Sequence, residues 1–448
     1  MSLPEPDRHP RDRLRRELSL TDSTLICVAS VIGSGIFLTP GDIAQKLPHP
    51  GLVLAVWIAG GLLSLAGALA NAELGAMFPH AGGDYVYLRE AYHPIAGFLA
   101  GWLTFFVIYV GTIATLAAGF AAALGHFFPL GSGGELAVAL TVTVASSLLN
   151  YLGVRAGARF NNMTTTFKVV ALLAFVFLGP LTGHGTIANF SPLIEGANAV
   201  PISHFGRALS PVLFSYLGWN SAVYVASEIH DPARNVPRSL FLGLVLCTVV
   251  YLLVNLVYLY ALPVDAQRGV GNVGEAAARE LFGTLGGTLV ALFVLGSILG
   301  TLNATILVGP RIAYAMAIDG RFFGGVDRVH DAHATPYVAL AVQAAAAVAI
   351  LLVLRSFPNV LDFTTFAIVV ATMADTAALY TLRRRQPNLP RPYRAWGYPW
   401  VPALYLVANA TIALAMIEGS TRECVTALAV AATGVPFYAL FAWLETDR

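Results

Sequence analysis

Leu25-Ile-Cys-Val-Ala-Ser-Val-Ile-Gly-Ser-Gly-Ile-Phe37 is an apolar run with Gly33, Ser34 and Gly35 at its centre. Its hydrophobicity predicts a membrane-spanning helix, and its glycines work against one. Glycine costs about 1 kcal/mol relative to alanine inside a helix, and two glycines flanking a serine invite unwinding. A small-residue surface for close helix packing is the competing reading. A second interruption favours unwinding. Phe214-Ser-Tyr-Leu-Gly-Trp-Asn220 places Gly218 and polar groups inside another apolar run. From residue 20 to Gly33 is 13 residues and from residue 203 to Leu217 is 14. At about 1.5 Å per residue, each break lies about 20 Å along its helix.

The rest of the chain supplies the setting. Apolar residues make up 57% of its 448 positions and charged residues 11%, against roughly 45–50% and about 25% in soluble proteins. A soluble core of this size cannot absorb that surface, so the excess faces lipid. Apolar runs fall at about 21–45, 50–78, 94–127, 135–153, 163–182 and 203–228, then 237–262, 283–318, 335–354, 358–382, 399–417 and 423–443. Twelve spans put both termini on one side. With the N-terminus cytoplasmic, nineteen of the 26 Lys and Arg lie inside, six outside, and Lys168 within a span. That bias obeys the positive-inside rule. Residues 1–19 are expected as a cytoplasmic basic tail without a signal peptide, and 20–448 as a single transmembrane domain. The first and sixth spans enter from opposite faces, so both breaks fall near the midplane. Five-helix inverted repeats place discontinuous helices around a central site in this way.

Unwound backbone leaves N–H and C=O groups without helical partners, which is costly in a membrane. The half-helix starting near Gly35 offers N–H donors and a positive dipole end, suited to a carboxylate. Carbonyls before each break suit an ammonium group. A zwitterionic amino acid satisfies both.

At these residues the chain resembles the amino acid–polyamine–organocation (APC) superfamily, and within it prokaryotic members of the L-type amino acid transporter (LAT) family. The resemblance is carried by Val31-Ile-Gly-Ser-Gly-Ile-Phe-Leu-Thr-Pro40 and by Ala72-Glu-Leu-Gly-Ala-Met-Phe-Pro-His-Ala-Gly-Gly-Asp-Tyr85. Gly218-Trp-Asn220, the stretch Ser227 to Pro237, Leu302-Asn-Ala304 and the proline-rich segment 385–392 also fit. It implies an all-α membrane fold with twelve transmembrane helices and a 5+5 inverted repeat (LeuT-like), helices 1 and 6 being discontinuous. The repeats would cover about 20–182 and 203–382, with two extra helices at about 399–443. It also implies that the N–H groups around Gly33, Ser34 and Gly35 bind the substrate carboxylate. The carbonyls of Val31, Phe214 and Leu217 would take the amino group. Trp219 and Asn220 would shape the side-chain pocket. Leu217 stands where several family members have a smaller residue, so its side chain either narrows the pocket or points away.

Lys168 sits in Thr164-Thr-Thr-Phe-Lys-Val-Val-Ala-Leu-Leu173, about 13 Å from the cytoplasmic Arg159. An ammonium at that depth costs about 2.5–3.5 kcal/mol, which makes a functional role the default. In sodium-independent members of the superfamily a lysine on the fifth helix stands where sodium-coupled relatives bind the ion, and Lys168 matches it. It either replaces the cation as a fixed charge or carries a proton; Tyr251 matches an assisting position. Exchange and proton symport both remain open.

Glu73 and Glu228, near cytoplasmic helix ends, are read as pairing with loop arginines or as solvated charges. Asp375, inside the tenth span, is expected to pair with a hydroxyl of a neighbouring helix, a gate or proton role being the alternative. Phe366 is a gate or packing residue. Cys27, Cys247 and Cys424 read as buried small residues, and the ten histidines show no ligand spacing within a span. No metal or cofactor is expected. The near-zero charge argues against nucleic acid. Animal relatives join a glycoprotein subunit through a cysteine in the loop after the third helix; Phe127–Glu135 has none, so no covalent heavy-chain subunit is expected. The expectation is a sodium-independent transporter, as an exchanger, of small neutral L-amino acids in a prokaryotic plasma membrane. A proton-coupled amino acid or amine symporter is the alternative, and an amino-acid-gated channel or a sensor comes from another class. A cationic substrate is disfavoured because neither break has a carboxylate nearby in sequence. No nucleophile–base set appears, so no enzyme is expected.

Overall fold

The computed structural model describes residues 12–125, 127–194, 200–354, 357–419 and 421–446. Residues 1–11 of the basic tail, Arg355 and Arg448 lie outside that set. The described residues form an all-helical protein whose only β-type pairing is a single bridge between Leu18 and Ile229.

The chain opens with α1 (Leu20–Val31), α2 (Gly35–Leu38) and α3 (Pro40–Lys46). Next come α4 (Pro50–Met77), α5 (Asp84–Ala91), α6 (Pro94–Leu103) and, after a π-helical turn at Thr104–Tyr109, α7 (Val110–Gly125). The helices α8 (Ser132–Tyr151) and α9 (Val154–Leu178) complete the first half. The second half opens with α10 (Ile202–Tyr216), α11 (Ser221–Tyr224) and α12 (Pro232–Ala261). It continues through α13 (Val264–Gln267), α14 (Val273–Val308), α15 (Pro310–Ile318) and α16 (Tyr337–Leu354). It closes with α17 (Phe357–Arg385), α18 (Trp400–Gly419) and α19 (Thr421–Thr446).

Ten helical stretches among the described residues are long and apolar enough to cross a membrane, and Tyr337–Leu352 is a shorter apolar one. Leu148, Phe177, Leu404 and Val407 are all more than 60% exposed. Side chains of that kind on α8, α9 and α18 belong against lipid rather than water. The stretch α14 begins ten residues before the apolar run at 283–318 and is two helical pieces joined at a kink, where Gly283 leaves helical geometry at φ +72°.

Local chemistry fixes the first broken helix. Ser19 accepts a hydrogen bond from the Asp22 N–H while the Asp22 carboxylate accepts from the Ser19 N–H, a capping box that sets where α1 starts. Just before it, the N–H groups of Glu17 and Leu18 donate to the Glu228 carbonyl, tying the tail to the segment after α11. Two large buried clusters fill the interior. One includes Tyr87, Phe98, Tyr224 and Leu379, the other Val31, Trp57, Tyr216 and Tyr251. The second broken helix passes from one to the other, with Tyr216 and Trp219 in the second cluster and Ala222, Val223 and Tyr224 in the first.

Candidate functional site

Helix α1 stops at Val31 because its backbone turns sharply: the Ile32 N–H closes onto Val28 and the Gly33 N–H onto the Val31 carbonyl. Helical geometry resumes at Gly35. The N–H groups of Ser34, Gly35 and Ile36 meet no acceptor among the described residues. Three free donors pointing from one short segment make an anion cradle. Gly35 is required by space. A Cβ there would lie 2.6 Å from Ser215 Oγ and 2.8 Å from Ser215 Cα, so the two breaks touch backbone to backbone.

Helix α10 ends at Tyr216, with the Leu217 N–H closing onto the Phe214 carbonyl. Gly218 then takes φ +96°, where a Cβ would sit 2.8 Å from that of Ser30. Ser221 Oγ donates to Ser30 Oγ at 2.8 Å, joining the restart of the second broken helix to the end of the first.

Behind the first break, Lys168 is fully buried and its three N–H donors are all used. It donates to the Ile32 carbonyl at 2.8 Å, to Thr301 Oγ1 at 2.9 Å and to the Ala29 carbonyl at 3.4 Å. Thr301 donates in turn to the Ala29 carbonyl at 3.0 Å, and Ser297 Oγ reaches the Ile32 carbonyl at 3.3 Å. The orphan carbonyls of α1 are thus met from α9 and α14 without a carboxylate among the described residues. Tyr251 works on the other side. Its hydroxyl lies 2.8 Å from the Val31 carbonyl and 3.0 Å from the Ser215 carbonyl, within reach of both breaks.

A cavity of ≈ 140 Å³ opens between the breaks. Clefts for drug-sized ligands run to roughly 300–1,000 Å³, so this one suits a molecule of a few heavy atoms. Val31, Gly33, Ser34, Gly35, Phe214, Leu217 and Asn220 line it. Trp219 does not; it borders a smaller adjoining pocket with Leu217, Thr372 and Tyr405. Lys168 and Tyr251 stand behind the wall. Of the carbonyls expected to face an ammonium group, that of Leu217 carries no hydrogen bond among the described residues. That of Val31 already accepts from Gly33 and Tyr251, and that of Phe214 from Leu217. The Ser30 carbonyl is also unengaged and lies at the cavity edge.

Several lining residues escaped the sequence reading. Tyr109 belongs to the π-helical turn, and Tyr224 to α11. The larger correction is Asp84. Although no carboxylate is near either break in sequence, Asp84 lines the cavity, accepting from Tyr224 at 2.8 Å and Thr104 at 3.1 Å. Gly82 and Gly83, at φ +109° and +49°, turn the chain beneath Tyr224 and bring Asp84 in. Asp375 is also corrected: it faces the Asp84 carboxyl and the Asn71 amide rather than a hydroxyl. Phe366 is buried in the core and does not line the cavity.

Both glutamates are paired rather than solvated. Glu228 receives a bidentate Arg311 at 2.7 and 2.9 Å, and this arginine lies on buried α15 instead of a loop. Glu73 receives Arg383 at 3.0 and 2.5 Å and the Ala395 N–H at 2.6 Å. The three cysteines are buried.

Comparison with known proteins agrees with this architecture. The model of the amino acid permease family matches residues 18–438. A serine/threonine exchanger of Bacillus subtilis (strain 168) is 29% identical over 435 residues, 96% of this chain and 98% of that one. The human large neutral amino acids transporter small subunit 2 is 28% identical over 434 residues, covering 95% and 80%. The human Asc-type amino acid transporter 1 is 27% identical over 442 residues, covering 97% and 84%.

Proposed function

The chain belongs to the amino acid permease family, and on that footing we propose that it is a sodium-independent exchanger of small neutral L-amino acids working by alternating access. The observation that carries the reading is the pairing of free N–H groups at Ser34–Ile36 with unengaged carbonyls at Ser30 and Leu217 across one small cavity. A carboxylate on the donors and an ammonium on the acceptors describes an α-amino acid. The cavity volume and Leu217 at its wall favour a short side chain, and hydroxyls of Ser215, Thr365 and Thr372 could receive a hydroxyl of the substrate. The relatives named serine/threonine exchanger and Asc-type transporter point the same way.

Sodium independence rests on Lys168, whose ammonium occupies the space behind the first break and saturates the carbonyls there. A bound cation would compete with it for the same oxygens. In this reading the protein is multi-pass, with twelve spans, broken first and sixth helices, cytoplasmic termini and a prokaryotic plasma membrane as its setting. It needs no cofactor and no covalently attached subunit. A proton-coupled symporter is the second reading, favoured by Asp84 at the cavity wall.

The test is uptake of a radiolabelled amino-acid panel into proteoliposomes, with and without internal amino acid, sodium or a pH gradient. Uptake that requires internal amino acid and ignores sodium is expected. Strict dependence on sodium would remove the role given to Lys168, and uptake driven by a pH gradient without internal substrate would favour symport.

A further inference from the structure

Among the described residues, four acidic side chains are fully buried: Glu73, Asp84, Glu228 and Asp375. The two glutamates have arginine partners. Among the described residues no cation pairs with either aspartate; Arg89, on the same helix as Asp84, is taken by Asp319. Asp375 on α17 faces Asp84 and lies beside the Asn71 amide of α4. Yet neither Asp375 oxygen completes a hydrogen bond as an acceptor, and neither atom of the Asn71 amide has a partner. The other groups turned toward the pair are neutral: Tyr87, Tyr109, Tyr224, Tyr405 and the hydroxyl of Thr104.

Two carboxylates in such surroundings cannot both ionise without a counter-charge. A proton on Asp375 resolves the first anomaly, because its oxygen becomes a donor and Asp84 is the acceptor it faces. Asp84 then remains an ion held by O–H donors from Tyr224, Thr104 and Asp375. We propose that Asp84, at the cavity wall, and Asp375, which faces it, form a proton-binding site, holding one proton between them while that wall is closed.

The closed wall is built from the Asp84 loop and the second half of the second broken helix. The Ala81 N–H donates to Ser227 Oγ at 2.8 Å and the Gly82 N–H to the Tyr224 carbonyl at 3.4 Å. Moving α11 away withdraws Tyr224 from Asp84 and admits water, so the shared proton passes from the carboxyl oxygen to water. The closed form therefore binds the proton more tightly than the open form. Acid stabilises closure, by at most about tenfold per pH unit for one proton.

This inference rests on the exchanger reading for one of its two readouts. In proteoliposomes at saturating substrate, exchange should slow as the pH falls, and Asp375→Asn should flatten that profile. An Asp375→Asn profile that overlays the parent's would overturn the site; absence of exchange at every pH in the parent would instead overturn the function. The second readout needs no transport. The purified parent at neutral pH should show the infrared carbonyl band of a protonated carboxyl, lost in Asp375→Asn and shifted in Asp84→Asn, where the acceptor changes from a carboxylate to an amide. A parent lacking the band, a band that survives Asp375→Asn, or one that Asp84→Asn leaves unmoved overturns the proposal. So does sodium-stimulated exchange in the parent that Asp375→Asn abolishes, since it would assign a sodium ion to these carboxyls.

Discussion

Replacing Gly35 by alanine is expected to cripple transport, while the same change at Gly33 is expected to do far less. The two glycines lie two residues apart in the same break, yet their surroundings differ. A methyl carbon on Gly35 falls 2.8 Å from Ser215 Cα, and ordinary contact begins at 3.4 Å. The breaks must therefore separate by roughly 0.6 Å, and backbone cannot rotate out of the way as a side-chain tip can. Overpacking of this kind costs about 1–3 kcal/mol. At about 1.4 kcal/mol per tenfold, that is roughly 5-fold to 150-fold in whatever equilibrium requires the breaks to touch. A methyl carbon on Gly33 meets only Thr301, at 3.7 and 3.9 Å, which is normal contact. Exchange of radiolabelled amino acid in proteoliposomes, normalised to reconstituted protein, measures both. Gly35→Ala should lose at least about fivefold, and Gly33→Ala should stay within about fivefold of the parent and above Gly35→Ala. Equal activity of Gly35→Ala and the parent would refute the close approach of the two breaks.

Tyr251→Phe removes one hydroxyl donor to the Val31 and Ser215 carbonyls, which should cost about 0.5–1.5 kcal/mol, read as a weaker apparent affinity in competition uptake. Lys168→Met leaves the Ile32 and Ala29 carbonyls short of a donor; exchange should fall sharply, and sodium should not restore it. Arg311→Met strands the Glu228 carboxylate in the core and should destabilise the folded protein by about 3–5 kcal/mol, seen in thermal unfolding in detergent. Leu217→Gly should widen the range of side chains accepted in the uptake panel; an unchanged profile would show that Leu217 does not limit size.

The sequence revealed the features that violate their own surroundings. Gly33-Ser34-Gly35 interrupts an apolar run, and Lys168 puts a charge in another, so both stand out without any knowledge of the fold. Asp84 did not stand out, because it follows the end of α4 in a segment that reads as an ordinary polar loop. The signal that carries it under Tyr224 is the Gly82-Gly83 pair, whose positive φ values reverse the chain where a Cβ on Gly83 would strike the Tyr224 ring at 2.6 Å. Asp375 was legible as anomalous but not as the neighbour of Asp84, since that contact depends on how α17 packs against α5. The π-helical turn at Thr104–Tyr109 contains neither glycine nor proline, and nothing in its composition announces it. Gly283 marks the kink between the two pieces of α14, and the apolar run begins there, at the second piece.

The central claim is that backbone groups exposed by two helix breaks hold both charges of one amino acid. A structure determined with a small neutral amino acid bound tests it most directly. The account predicts the ligand carboxylate within hydrogen-bond distance of the Ser34, Gly35 and Ile36 N–H groups, with its ammonium toward the Ser30 and Leu217 carbonyls. An amino acid bound with its ammonium on Asp84 and its carboxylate away from those N–H groups would contradict it.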